Sequence, residues 1–315
     1  TPHAPRSGGP TMNILLIGGT GLIGPHVILG LRGHVVTALT RSGKRLLTET
    51  NRAGNRHSPD DISAAIRASS PDLIIDMIPF TRQGAQALVD AVATTQTTAP
   101  VIALSSIDVY AAFGRLHGTE HAAPQPHLLD EDAALRQMPG PDGDAYDKTG
   151  IEAVYRDALP ELTILRMPVV YGWPDCTRVK DYLDPMLDGA QTVTIAQDVM
   201  PFQISRTSHQ NAAAAVICAA LARQRGQHIF NVADPVAMTE LQWAQQIAQV
   251  IGWAGDIIAG PPHGYAAPIP HIVVDTAKIR RELGYVEPHD PAIALRDNVM
   301  FHAYQRMDKP YIKGY

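Results

Sequence analysis

The stretch NILLIGGTGLIG, Asn13 to Gly24, running into HVILGL, decides the fold. Four apolar residues after Asn13 form a short strand, the glycines follow without a break, and an apolar helical pattern comes next. Glycines at 18, 21 and 24 permit a tight turn, close approach of the backbone to a pyrophosphate, and close packing of the following helix. A glycine string alone marks only a turn. The order strand, glycines, helix identifies Gly18, Thr20, Gly21, Leu22, Ile23 and Gly24 as candidate dinucleotide-binding residues.

Outward from that turn, short apolar runs alternate with helical stretches, as a parallel sheet covered by helices requires. Strands are expected at Asn13 to Ile17, Val35 to Leu39, Leu73 to Ile78, Val101 to Leu104, Leu162 to Leu165 and His228 to Val232. Helices are expected at Ile62 to Ala68, Gly84 to Thr94 and Tyr146 to Leu159. This is a doubly wound α/β pattern of Rossmann type, with a smaller irregular C-terminal substrate-binding region. The expected division is a polar tail over 1–11, a dinucleotide-binding domain over 12–172 to which 203–233 returns, and a substrate-binding region over 173–202 and 234–315. Thr239 and Gln242 have capping-box spacing, and Lys278 to Leu283 ends on Gly284 as a helix C-terminus should. The Pro-, Gly-, His- and Asp-rich stretch Ala111 to Ala145 reads as a lid or active-site loop.

Strand two ends TALTRSGKR, with no acid from Pro25 to Thr48 to take the ribose hydroxyls of NAD. Arg41, Ser42 and Lys44 stand where a 2′-phosphate would lie, so the expected cofactor is NADP; the alternative is a solvated basic loop. A net charge of −5 without a basic run argues against nucleic acid as a partner. Cys176 and Cys218 lack metal spacing, and His117, His121 and His127 match no ordinary metal module, so no metal is expected. The longest apolar run, Ala212 to Ala222, is roughly half a membrane span. Together these features suggest a cytoplasmic protein acting on a small molecule.

Further segments make the chain resemble the extended short-chain dehydrogenase/reductase family of epimerases, dehydratases and reductases. They are ALSSIDVY at 103–110, Tyr146 with IEA shortly after, ILRMPVVYG at 164–172, IFNVADP at 229–235 and DTAKIRRELGY at 275–285. The resemblance implies Ser106 and Tyr146 as catalytic residues, with Arg178, Lys180 and Arg206 in segments that form the substrate cleft. It also implies a possible homodimer through helices matching Gly84 to Thr94 and Tyr146 to Leu159. The family's Lys, four residues after the Tyr, is Gly150 here, and Val169, Gln210 and Asn211 depart from the pattern as well. Lys148, about 200° around a helix that begins at Tyr146, should point away from it. These features give an NADP-dependent oxidoreductase or epimerase in which reduction is favoured and Tyr146 donates the proton. The alternatives are a non-redox scaffold for RNA or a protein partner, or a cyclase or isomerase without net redox change.

Overall fold

The computed structural model describes residues 10–43, 46–121, 127–138, 140, 143–264 and 269–306. In chain order, the first half runs β1 Asn13–Ile17, α1 Gly24–Gly30, β2 Val35–Thr40, β3 Thr50–Ala53, α2 Pro59–Ser69, β4 Leu73–Asp76, α3 Arg82–Thr95 and β5 Val101–Ser106. It continues α4 Ala111–Leu116, β6 Leu128–Leu129, α5 Lys148–Ala158, β7 Leu162–Met167 and β8 Val169–Tyr171. Then come α6 Thr177–Leu187, β9 Thr192–Ala196, β10 Arg206–Ser208, α7 His209–Ala222 and β11 Gln227–Asn231. The chain closes with α8 Glu240–Ile251, β12 Asp256–Gly260, β13 Val273–Val274, α9 Ala277–Leu283 and α10 Pro291–Arg306.

Seven strands form one parallel sheet in the order β11-β7-β5-β4-β1-β2-β3. The order reverses between β1 and β4, which opens a crevice at the carboxyl ends where ligands bind in such sheets. The central strands are buried on both sides: one core packs Ile14, Leu16, Val36 and Phe230 beneath α1 and α7, and the other packs Leu15, Ile17, Ile74 and Ile164 beneath α2, α3 and α5. A third core gathers Tyr171, Val179, Leu183, Trp243, Ile247 and Val299 around α6, α8 and α10. Among the described residues that C-terminal part has no large sheet. It is tied by two-residue to five-residue parallel pairs: β8 with β10, β9 with β12 and β6 with β13.

One expectation changes and one strand is added. Residues 111–145 are not one loop, because the described part contains α4 and β6, and Phe113, Leu116 and Leu129 pack in or against a fourth core. β3, with sequence TNRA, carries no apolar pattern because it is a half-exposed edge strand. Among the described residues no helix is long and apolar enough to cross a membrane.

Candidate functional site

The glycine turn has the backbone a phosphate cradle needs. Gly18 and Gly19 sit at φ of +100° and +98°, in the region that favours glycine, and the Gly18 amide donates to the Leu39 carbonyl at 2.9 Å. A Cβ on Gly24 would lie 2.2 Å from the Gly19 carbonyl oxygen, so α1 packs against the turn as only glycine allows. A Cβ on Gly21 would meet nothing within 4 Å. Gly21 and Thr20 are exposed, and Leu22 and Ile23 are half-buried beside them. The closed side of the turn is filled by protein and its open side is bare backbone, which fits a pyrophosphate. At the end of β2, Arg41 and Ser42 are exposed, while Lys44 lies outside the described residues.

Ser106 ends β5 partly exposed, and its hydroxyl accepts from the Asp108 amide at 3.2 Å, capping the short turn Ile107–Val109. The hydroxyl therefore ties the strand end to the next turn.

The environment of Tyr146 corrects the expectation about Lys148. The helix does not begin at Tyr146. Asp147 is its N-cap, accepting from the Gly150 amide at 3.0 Å, and Lys148 is its first residue. Tyr146 stands outside the helix, so helical angles do not relate the two side chains. Lys148 turns inward to the ends of β4 and β5 and donates to the carbonyls of Pro79, at 2.7 Å, and Leu104, at 3.3 Å. Its ammonium lies 5.1 Å from the centre of the Tyr146 ring and 4.8 Å from that of Phe80. Burial pulls its pKa down to about 8, against the opposing attraction of Asp108 and Asp76. The space that a side chain at Gly150 would take is filled: its Cβ would lie 2.2 Å from both Arg82 Nε and Asp147 Oδ2, which bond each other. Asp147, a residue type preferred at helix N-caps, is the sequence signal for this cap.

Two buried clusters back the site. Asp76 accepts from Arg56 at 3.0 Å and from the Tyr155 hydroxyl at 2.5 Å. Arg166 donates to both oxygens of Glu152, at 3.0 and 2.8 Å, and to the Tyr110 hydroxyl at 3.0 Å, while Ser105 donates to Glu152. Sequence reasoning missed both, since each joins residues dozens of positions apart or on different elements.

The three cations expected in the cleft separate. Arg178 and Lys180 are exposed on α6. Arg206 pairs with Glu240 and lies 4.6 Å from the Trp243 ring centre, on the wall of a cavity of about 590 Å³ that also includes Tyr171, Asp234 and Gln242. None of Ser106, Tyr146, Lys148 or the glycine turn lines that cavity.

No family model matches the sequence, and no curated protein sequence matches it. Solved structures do match the fold. The UDP-glucose 4-epimerase of Thermotoga maritima, determined with UDP-glucose, superposes with a TM-score of 0.71 at 17% identity, covering 94% of this chain and 100% of that one. The UDP-glucose 4-epimerase of Stenotrophomonas maltophila, with bound NAD and formylated UDP-arabinopyranose, gives 0.72 at 19% identity, covering 94% and 99%. That of Bifidobacterium longum, with NAD+ and UDP, gives 0.69 at 14%, covering 94% and 98%. The chain has the fold of these epimerases. The dinucleotide in the last two is NAD, which overturns the NADP expectation. Physically, the cations that suggested a 2′-phosphate clamp include Arg41 on an exposed turn, where a solvated guanidinium is the ordinary state.

Proposed function

We propose that this protein is an NAD-dependent epimerase acting on a sugar carbinol of a nucleotide-activated sugar, with no net redox change. The observation that carries this reading is the Lys148 ammonium beside the Tyr146 ring at the carboxyl ends of β4 and β5. The likeness to epimerase structures supports it. A phenol without a cation nearby ionises near pH 10 and is a poor base at neutrality, which is why the Gly150 substitution suggested one-way reduction. A cation close by favours the phenolate. Tyr146 is then able both to take a proton from a carbinol and to return it, as a reaction that passes through a carbonyl and back requires.

Gly18 to Gly24 would hold the pyrophosphate of NAD, with the adenosine ribose beside the end of β2. NAD supplies a reversible hydride acceptor when bound. Ser106 would hydrogen-bond the reacting oxygen by its hydroxyl proton while its lone pair keeps the Asp108 amide. Tyr146 moves the proton, and Lys148 sets the charge beside it.

The test is incubation of the full chain with NAD and UDP-glucose, UDP-N-acetylglucosamine or UDP-glucuronic acid, separating the sugar nucleotides by chromatography. Conversion to an epimer with no accumulating NADH is expected, and Tyr146→Phe should lower its rate by about 10²–10⁴. Stoichiometric NADH, or an undiminished rate in the Phe variant, would overturn the reading.

A further inference from the structure

Lys148 is a buried cation with no carboxylate in contact among the described residues. Its hydrogen bonds go to two carbonyls and its remaining neighbours are ring faces. An ammonium taken out of water stays charged only if an opposite charge compensates. The charged groups that act on it are Asp108 from the turn after β5, Asp76 from β4, Arg56 from the loop before α2, and Glu152 from its own helix.

Three of the nearby carboxylates are already committed. Asp76 pairs with Arg56 and accepts from Tyr155, Glu152 is bidentate to Arg166, and Asp147 pairs with Arg82. Asp108 differs. It is 5% exposed, forms no ion-pair contact among the described residues, and has an Oδ1 that is buried without a hydrogen-bond partner. Arg136, also buried, donates Nε to the Asp108 backbone carbonyl rather than to its carboxylate, and leaves one of its own terminal nitrogens unpartnered. Asp108 is thus a buried anion near two buried cations, Arg136 and Lys148, with its charge given to neither by contact.

We infer that Asp108 is the counter-charge that keeps Lys148 an ammonium beside Tyr146, a positioning residue that acts on proton transfer through Lys148. Its catalytic consequence rests on the epimerase reading; the coupling between the two side chains does not. Sequence position hides the link, because the two residues lie 40 apart and come near each other only where the turn Ile107–Val109 packs against α5 and Lys148 reaches the Leu104 carbonyl. Desolvation pushes the Asp108 carboxyl up to about 6, so it is charged at neutral pH and able to serve.

The coupling is measurable without substrate. The chain has six lysines, so labelling lysine with 13C at the ε carbon gives few signals, and Lys148→Met assigns the one wanted. Titration of the full chain by NMR should place the Lys148 midpoint near 8, well below the other lysines. Asp108→Asn should lower it by at least about one unit, since at an effective dielectric near 20 a charge about 4 Å away is worth about 4 kcal/mol and one about 12 Å away still about 1.4 kcal/mol. Asp108→Glu should hold it close to the wild-type value. Should the Asn variant fail to fold, Asp108→Ser, which is smaller, carries the same test.

With UDP-glucose and NAD, the alkaline limb of the pH profile of kcat/KM, where Lys148 loses its charge, should move down with the Lys148 midpoint, a shift that loss of structural support alone would not produce. An unchanged Lys148 midpoint in a folded Asp108→Asn or Asp108→Ser variant overturns the inference. A lowered midpoint combined with undiminished conversion in Lys148→Met would leave the coupling standing and remove its catalytic consequence, whereas a lowered midpoint in a wild-type chain that converts none of the sugar nucleotides would leave the coupling standing and remove the epimerase reading.

Discussion

The seven-stranded sheet and the Trp243 core handle polar groups in opposite ways. Around the sheet, ion pairs are sealed inside: the Arg166 and Glu152 side chains are 1% and 2% exposed, and Arg56 and Asp76 are nearly as deep. In the C-terminal part the described pairs sit nearer solvent: Arg306 bridges Asp184 and Asp188, His302 bonds to Asp184, and Arg206 with Glu240, the deepest of them, is 11% and 13% exposed. The sealed pairs tie β4, β7 and α5 at the carboxyl edge where the candidate site lies. Placement of the site is therefore coupled to the stability of the sheet, while the C-terminal part is free to vary its rim.

That contrast breaks most visibly at Arg166. Arg166→Met strands Glu152 as an unpaired buried charge, and removing one partner of such a pair costs about 3–5 kcal/mol. Urea unfolding measures it; a loss below about 1 kcal/mol would show that water reaches Glu152 and that the sheet's pairs are no deeper in effect than the rim's.

His209 sharpens the comparison at the junction of the two parts. It is 1% exposed, its ring meets that of His26 on α1 edge-on with centroids 4.5 Å apart, and its Nε2 is buried without a partner. Burial, with smaller contributions from His26 and His289, pulls its pKa down to about 4. Between the unfolded value near 6.5 and that figure, the unfolded chain takes up a proton that the folded chain refuses. Its contribution is therefore intact above pH 6.5 and shrinks as pH falls toward 4, by about 3 kcal/mol at most. Asp108 and Asp234, both pushed up to about 6 by burial, oppose this trend, so the readout is the difference between wild type and His209→Gln. The variant should lose less stability from pH 7 to pH 4.5; parallel curves would show that His209 is protonated in the fold.

At the glycine turn the expected effects are smaller and divide by position. Gly24→Ala drives a Cβ into the Gly19 carbonyl, costing about 1–3 kcal/mol, whereas Gly21→Ala enters open space and should leave stability within about 0.5 kcal/mol. Both should weaken NAD binding in calorimetric titration. Unchanged affinity in a folded Gly21→Ala variant would move the pyrophosphate off this turn. The smallest effect belongs to the rim: Arg306→Ala should cost no more than about 1 kcal/mol, and less in high salt. A cost equal to that of Arg166→Met would erase the distinction between the two parts.

Much of the sheet was legible because its signals are local. β1 and the glycines follow one another within Asn13 to Gly24, and the capping box of α8 is complete between Thr239 and Gln242. The edge strand β3 was not legible, since half-exposed residues need no apolar pattern. Lys148 points otherwise than expected through a two-residue difference in helix start: taking Tyr146 as the first residue sends the amine away, and the Asp147 cap brings it back.

The sequence alone determined where chain direction changes, which faces are apolar and which glycines the turn demands, because these follow from contacts within a few residues. Tertiary structure decided which charges share a burial site. Lys148 meets the Pro79 carbonyl across 69 residues, Tyr155 meets Asp76 across 79, and Arg206 goes to Glu240 rather than to Arg178 and Lys180. A buried charge takes whatever partner the packed sheet brings within reach, and that depends on strand order and helix docking rather than on spacing along the chain.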